Sequence, residues 1–321
     1  MPEYRMRFVI LTIAVVLLAL STASAGTWRL EKGRDFKAVS ADGEDKFLVA
    51  VAEAKKLVNT GQAKDAHKAY NAIKKDFPGI AGPDFDLFIK AEIYYCKVQF
   101  TRAFRSYDKL LTEYSKSGFR EAALDRQFAI ATAYLAGKKK VLLSIIKIKG
   151  YAEGIKIMEK ITDRVGLDTQ MGIKASFAVA ENYEQRKLFN EAFLKWWEIS
   201  LEWETGPVGR DALLGMARNK HAVYNKPPEH KRTFYDASSL NSAKSYYGRF
   251  KLLYPEDARK IGVDEILSEI DEQLAYKQLS IGRYYEKTGN RKSANLYYDM
   301  VVNDWPDTKA AEEAKEMLAK K

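Results

Sequence analysis

The hydrophobic positions of the chain repeat one spacing six times. In each copy a small residue is followed by apolar or aromatic residues four, seven and eleven positions later. These offsets place the side chains on one face of a helix that turns every 3.6 residues. The pattern therefore predicts six amphipathic helices, each identified by its first small residue, called the anchor. The six anchors are Ala66, Ala103, Gly154, Ala192, Ala243 and Ala294.

Proline marks the predicted end of three of these helices. Pro78, Pro255 and Pro306 each follow an anchor by twelve positions. Proline has no backbone N–H and cannot continue a helix, so it is typical of the position just beyond a helix end. We expect these helices to end directly before their prolines.

A partner helix is predicted before each anchor. Nine positions before four anchors lies an apolar or aromatic residue, and a small residue lies three positions earlier. Small residues let two helices approach closely, and the larger ones fill the space between successive pairs. Gly61 and Gly289 are predicted in the turns, where a positive φ favours glycine. The four small and large pairs are Ala54 with Leu57, Ala91 with Tyr94, Ala180 with Tyr183 and Gly282 with Tyr285.

The other two copies carry the partner helix with an inserted segment, which explains the uneven spacing of the anchors. A helix pair of roughly 34 to 38 residues plus insertions accounts for all intervals. Repeated helix pairs are typical of a solenoid, where each pair packs mainly on its neighbours and the array offers a concave surface. We predict an all-α solenoid of about six tetratricopeptide-like pairs over residues 44–321. A charged, alanine-rich helix over 307–321 is expected to cap it.

The first 25 residues have the pattern of a secretory signal peptide. Arg5 and Arg7 precede an apolar run over 8–20, and Ala23-Ser24-Ala25 follows. The run is shorter than the roughly 20 residues of a membrane-spanning helix. We predict cleavage after Ala25, export, and a linker over 26–43. An uncleaved N-terminal anchor is the alternative.

Composition and motifs argue against an enzyme. The single cysteine, Cys96, excludes an intramolecular disulfide and is predicted to be a buried thiol. Three scattered histidines leave little room for a metal site, and His67 is predicted to be a surface or packing residue. Phosphate-binding, nucleophile-elbow and zinc-protease motifs are missing, and residues 26–44 are too few for a catalytic domain. We predict a non-enzymatic protein without cofactor or metal.

The net charge of +10 is spread through every repeat. Nucleic-acid binding is not expected, because such proteins mass their lysines and arginines in one block or stripe and an exported chain rarely meets nucleic acid. Attraction to anionic lipid or to acidic envelope polymers is the expected consequence.

The copy over 278–306, the aromatic-proline helix ends and the secretory start together resemble the BamD (YfiO) family of outer-membrane assembly proteins. The resemblance spans roughly residues 44–320. It implies a scaffold at the periplasmic face of the outer membrane that binds the β-barrel assembly machinery. Family members are usually anchored by a lipidated cysteine after the signal peptide, whereas Gly26 stands here. A soluble periplasmic adaptor in cell-wall, division or polymer-export machinery is therefore the alternative.

Candidate partner-binding residues come from the predicted inner face of the first helices. Some tetratricopeptide proteins bind a client's C-terminal carboxylate there through repeated lysines and asparagines. The equivalent positions in this chain hold a mixture, so such a clamp is not expected. We predict instead that exposed aromatic residues and mixed charges on the concave side bind the partner, with an ordinary solvated surface as the alternative for each charged candidate. The candidates are Glu92, Glu181, Arg218 and Arg283.

Two insertions are further candidate contacts. In residues 137–150, lysines flank an apolar run that its own solenoid, a partner or an anionic membrane must cover. In residues 225–235, Pro227 and Pro228 predict an extended charged loop, with partner docking as the alternative. The candidate contacts of the first insertion are Lys138, Lys139, Lys140, Leu142, Leu143, Ile145, Ile146 and Lys147.

Overall fold

The computed structural model describes residues 28–30, 36–38, 45–142 and 146–320. The signal-peptide prediction and most of the predicted linker lie outside these residues. The chain forms two compact units, residues 1–127 and 128–321.

Helices make up almost all of the described part of the first unit. A 3₁₀ turn over Pro78–Ile80 follows the second helix. The fifth helix contains the boundary with the second unit. In chain order the helices are α1 (Asp45–Asn59), α2 (Ala63–Asp76), α3 (Pro83–Cys96), α4 (Phe100–Glu113) and α5 (Arg120–Leu135).

The second unit adds ten helices within the described residues. Two of them are short and lie between longer ones. In chain order they are α6 (Tyr151–Val165), α7 (Gln170–Gln185), α8 (Phe189–Glu202), α9 (Gly206–Asn225), α10 (Glu229–Arg232), α11 (Ser238–Leu253), α12 (Pro255–Ile261), α13 (Val263–Lys287), α14 (Arg291–Asp304) and α15 (Lys309–Ala319).

These helices form the six predicted pairs, and the fold is the predicted all-α solenoid of tetratricopeptide-like helix pairs. The pairs are α1 with α2, α3 with α4, α5 with α6, α7 with α8, α9 with α11, and α13 with α14. The terminal helix α15 packs its alanines on the core of the last pair, which includes Tyr298 and Val301.

Four short strands were not predicted. β1 (Trp28–Leu30) pairs antiparallel with β2 (Phe36–Ala38), within the segment predicted as a linker. β3 (Lys139–Leu142) pairs antiparallel with β4 (Ile146–Lys149) and forms a hairpin between α5 and α6. The alternation of isoleucine and lysine over 146–149 is the period-two pattern of a strand.

The repeat spacing predicts the same set of buried positions in all six copies. The anchor and the residues four and seven positions after it are buried in every copy. The small residues of the partner helices, Ala54, Ala91, Ala180 and Gly282, are buried as predicted. These positions therefore form the contact between the two helices of each pair and between neighbouring pairs within each unit.

The residue eleven positions after the anchor ends the helix. In five copies it is the C-cap residue, and its N–H donates to the carbonyl group of the residue seven after the anchor, at 2.8–3.1 Å. Each is half-buried, so its large side chain covers the end of the pair. In the remaining copy, which begins at Gly154, Val165 is the last residue of α6, and Gly166 with φ of 87° follows. The five caps are Phe77, Tyr114, Trp203, Tyr254 and Trp305.

The turn inside four pairs needs a left-handed residue five positions before the anchor. Gly61 and Gly289 fill it with φ of 79° and 81°, which confirms their predicted role. Val98 and Lys187 occupy the same position with φ of 58° and 57°. Side chains other than glycine adopt this conformation at a cost, and β-branched ones rarely adopt it at all. The turn geometry therefore persists in copies where the glycine is absent.

None of the helices in the described part of the chain combines the length and the apolar character needed to cross a bilayer.

Candidate protein-interaction site

Glu92, predicted at an exposed binding position, is fully buried in the first unit. Arg126 donates to it from Nε at 2.8 Å and from NH2 at 2.9 Å. The hydroxyl groups of Tyr70 and Tyr107 also donate to its two oxygens. The predicted exposure of Glu92 is wrong, because four donors from neighbouring helices occupy a carboxylate that faces the core.

Burial and the charge of Glu92 shift the pKa values of its partners. The pKa of Tyr107 is raised well above its usual value, first by burial and then by the nearby carboxylate. The same causes, in the same order, raise the pKa of Tyr70. Burial alone would lower the pKa of Arg126, but the hydrogen bond and the charge of Glu92 outweigh it and raise the pKa. Both tyrosines therefore stay neutral and the arginine charged.

Cys96 is buried near this network, as predicted. Its Sγ lies 4.0 Å from the carbonyl oxygen of Leu57. Burial, and then the charge of Glu92, raise the pKa of the thiol, which keeps it protonated and unreactive. His67 is on the surface, within the range of roles predicted for it.

Glu181 and Arg218 lie together in the second unit, around a carboxylate that the sequence analysis did not select. Arg218 donates from NH2 to both oxygens of Glu184, at 2.7 Å each. Trp196 Nε1 donates to the same carboxylate at 2.7 Å, and Asn219 Nδ2 at 2.5 Å. The pKa of Glu181 is raised, first by burial and then by the charge of Glu184. Arg218 keeps about half of its side chain exposed beside this internal partner.

Arg283 forms an ion pair with Glu313 of α15. Its guanidinium carbon lies 5.9 Å from the centre of the Tyr276 ring. Its first role is therefore to hold the terminal helix on α13, and its side chain is still 38% exposed.

The first insertion forms the β3–β4 hairpin. Lys138 and Lys139 are exposed, and Lys140 Nζ lies 2.6 Å from Glu153 Oε2. The backbones of Leu142, Ile146 and Lys147 lie in the strands. Leu143 and Ile145 lie outside the described residues.

The second insertion combines the predicted extended stretch with a short helix. Pro228 is extended, with φ of −53° and ψ of 142°, and α10 follows directly. Arg232 donates from Nε to the carbonyl of Pro227 at 3.1 Å and from NH2 to that of Asn225 at 3.3 Å. Lys277 Nζ donates to two further carbonyl groups of the insertion, at 2.6 and 2.8 Å. The hydrogen bonds from Lys277 therefore hold the loop against α13, and the loop does not extend into solvent.

This fastening creates a pocket of about 440 Å³ in the second unit, called the Tyr224 pocket. Helix α9 contributes Tyr224, the insertion contributes three residues, and α13 contributes four. The lining residues are Tyr224, Glu229, Arg232, Thr233, Glu269, Glu272, Gln273 and Tyr276. Clefts of this size are typical of ligand sites in proteins.

One polar group of the pocket lacks a partner in the described part of the chain. Tyr224 is 4% exposed, and its hydroxyl group forms no hydrogen bond there. Burial raises its pKa, and the charge of Arg232 opposes this. Gln273 donates from Nε2 to Asn225 and Glu269, and its side chain also hydrogen-bonds to His221. The pocket therefore presents one unpaired hydroxyl group, that of Tyr224.

Sequence reasoning missed this pocket although it selected the insertion that forms one wall. The signal available in the sequence was a charged insertion placed two helices before an acidic stretch, residues 264–272. The contact between them could not be predicted, because the residues that meet are 42 to 48 positions apart.

Comparison with protein families matches the segment of the chain that contains this pocket. Residues 212–321 match the family model YfiO, described as an outer membrane lipoprotein. The chain is a tetratricopeptide-repeat protein that resembles the YfiO (BamD) family over this segment. The Tyr224 pocket lies entirely inside the YfiO-like segment. No curated protein matches the chain.

Two solved structures of tetratricopeptide-repeat proteins align with this chain. The C-terminal part of a repeat-containing protein from Cytophaga hutchinsonii is 15% identical, with a TM-score of 0.39. The alignment covers 84% of this chain and 87% of that one. A protein from Parabacteroides merdae is 16% identical over 85% of this chain and 97% of its own, with a TM-score of 0.33. At these scores the repeat assignment rests on the helix pairs of this chain itself.

Proposed function

We propose that this protein is an exported, non-enzymatic scaffold of the cell envelope, a BamD-like component in the assembly of outer-membrane β-barrel proteins. The observation that carries the proposal is the YfiO match over residues 212–321, in a chain that begins with a secretory pattern. Such a scaffold acts by binding other proteins through its helix surfaces, and no bond is made or broken.

An exposed apolar stripe on α8 supports a role in protein binding. Leu194, Trp197 and Leu201 follow one another at spacings of three and four and share one face of the helix. They are 57%, 45% and 61% exposed. Large apolar side chains grouped on one exposed face are typical of interaction surfaces. We propose this stripe as one contact, and the exposed parts of Glu181, Arg218 and Arg283 as polar contacts beside internal ion pairs.

Site-specific crosslinking in cells tests the function. A photoreactive residue replaces Leu201 in the full chain, and a matched control carries it at the adjacent exposed position, Glu202. We expect position 201 to crosslink to a component of the barrel assembly machinery and position 202 to do so much less. Adducts at neither position, or adducts only with proteins unrelated to barrel assembly, would reject the specific role.

Gly26, at the place where the family carries a lipidated cysteine, favours a second candidate function. A protein without a lipid anchor could act as a soluble periplasmic adaptor in cell-wall, division or polymer-export machinery. Release by osmotic shock, together with crosslinks to such proteins only, would support the adaptor. Fractionation with the outer membrane and crosslinks to barrel assembly proteins would support the first proposal.

A further inference from the structure

We propose that the Tyr224 pocket binds a lysine or arginine side chain of a partner protein. The inference deepens the proposed scaffold function, since it names the chemistry of one contact. It rests on the hydrogen-bonding character of the pocket, its charge and its aromatic walls.

One polar group of the pocket lacks a partner among the described residues. It is the hydroxyl group of Tyr224, whose side chain is 4% exposed and lines the pocket. Its oxygen can accept a hydrogen bond, so a ligand that supplies a donor gains by pairing it. Ammonium and guanidinium groups carry donors only and therefore complement this oxygen together with the nearby carboxylates.

The charge of the pocket also favours a cationic ligand. Three carboxylates, on Glu229, Glu269 and Glu272, line it together with one guanidinium group. That guanidinium group, on Arg232, is turned to the carbonyl groups of its own insertion. Glu272 accepts from the backbone N–H groups of Lys309 and Ala310 and so caps α15. Glu229 and Glu269 remain as the two carboxylates that a cation could pair with.

The aromatic residues give the pocket a shape for a long side chain. Tyr224 forms its buried end, while Tyr276 is 44% exposed and offers a ring at the rim. Aromatic faces attract ammonium and guanidinium groups and also pack on the methylene groups of lysine and arginine. A volume of about 440 Å³ admits such a side chain with neighbouring backbone.

Binding of short peptides to the purified protein tests the inference without any knowledge of the partner. The probes are five-residue blocked peptides of alanine with a central lysine, arginine, norleucine or glutamate, at physiological ionic strength. Amide NMR signals report the site of binding. We expect the lysine and arginine peptides to shift signals of Gln273 and Tyr276 with a dissociation constant in the millimolar range. The norleucine and glutamate peptides should bind at least fivefold more weakly.

Variants separate the pocket from general charge attraction. Glu229→Gln combined with Glu269→Gln should weaken binding of the lysine peptide at least fivefold, and Tyr224→Phe at least twofold. Glu312→Gln, on the exposed face of α15, is the matched control and should leave binding unchanged. The unfolding midpoint of each variant shows whether the fold is kept. Because Glu229 is exposed, its substitution is the least able to disturb the fold.

Three results would overturn the inference. They are absence of shifts at the pocket, equal binding of the norleucine peptide, or equal weakening by Glu312→Gln. Spermidine is tested as a cation that is not part of a peptide. If it binds the pocket and the lysine and arginine peptides do not, a protein partner is also rejected. Peptide binding in a protein that crosslinks to no barrel assembly component would keep the pocket and reject only the proposed scaffold role.

Discussion

Arg126 lies 34 residues after Glu92 and donates to both of its carboxylate oxygens, at 2.8 and 2.9 Å. Arg218 lies 34 residues after Glu184 and is paired with both oxygens of that residue. Thirty-four residues is the length of one tetratricopeptide repeat. In each case an arginine on the first helix of one pair therefore binds a carboxylate on the first helix of the preceding pair. The two units each use this ion pair to join successive repeats.

Removal of the arginine from the first of these ion pairs should destabilise the protein strongly. Arg126→Ala leaves the fully buried Glu92 without its cation, and breaking a buried pair in this way costs about 3–5 kcal/mol. We expect this loss in the free energy of unfolding measured with urea. Arg120→Ala is the control, since the ion pair of Arg120 with Glu121 is exposed and is worth at most about 1 kcal/mol. Equal losses in the two variants would contradict the network.

Glycine at the left-handed turn positions should stabilise the chain. Val98 adopts φ of 58° with a half-exposed side chain that contributes little packing. The left-handed conformation costs about 1–2 kcal/mol for a residue with a Cβ. Glycine avoids this cost, but it raises the conformational entropy of the unfolded chain, which offsets part of the gain in stability. We expect Val98→Gly to raise the free energy of unfolding by about 0.5–1 kcal/mol, and Lys187→Gly by less because lysine is not β-branched. Gly61→Val is the reverse control and should be destabilising. A destabilised Val98→Gly variant would refute the argument.

Two glycines in helices should respond to alanine in opposite directions. A Cβ at Gly282 would lie 2.5 Å from Cε1 of the buried Tyr298 ring, whose hydroxyl group donates to Glu286. Gly282→Ala should therefore cost about 1–3 kcal/mol through overpacking. Gly248 has open space around the same position, so Gly248→Ala should gain up to about 1 kcal/mol of helix propensity. Thermal unfolding of both variants measures the difference, and changes of the same sign would contradict it.

His221 should make stability depend on pH between neutrality and mild acid. Burial lowers its pKa below the usual 6.5, and the charge of Arg232 lowers it further, against the opposing effects of Glu269 and Gln273. The unfolded chain binds a proton at the usual pKa while the folded chain resists it. The stabilising contribution is therefore complete above pH 6.5 and is lost as the pH falls toward the lowered folded pKa.

The comparison with His221→Asn isolates this contribution. We expect the wild type to lose more of its unfolding free energy than the variant between pH 7.5 and 5.5, measured in urea at each pH. Parallel losses in the two proteins would mean that other groups carry the pH dependence.

The β3–β4 hairpin remains a proposed contact with an anionic membrane. Lys138 and Lys139 are exposed at its base, and each basic residue near an anionic surface contributes about 1 kcal/mol. Lys138→Glu with Lys139→Glu should weaken flotation with phosphatidylglycerol vesicles at least fivefold. Lys55→Glu with Lys90→Glu changes the same charge at exposed positions of the first unit. An equal effect of both double variants would show general charge attraction and reject the hairpin as the contact.

The sequence by itself determined the helix pairs, their ends and the buried residues that join them. A spacing of four, seven and eleven reports one helix face, so Tyr70, Ile73 and their equivalents could be placed in the core without any knowledge of the fold. Proline and glycine marked the helix ends and turns, because their backbone limits act within a few residues.

Only the tertiary structure decided which charged residues are buried and where a pocket forms. Glu92 reads as a surface residue in the sequence, and its burial depends on Tyr107 and Arg126, which lie 15 and 34 positions away. The Tyr224 pocket likewise exists because Lys277 fastens an insertion 42 and 44 positions earlier in the chain. Helix periodicity carries information over one or two turns, whereas the meeting of such residues depends on how successive pairs stack.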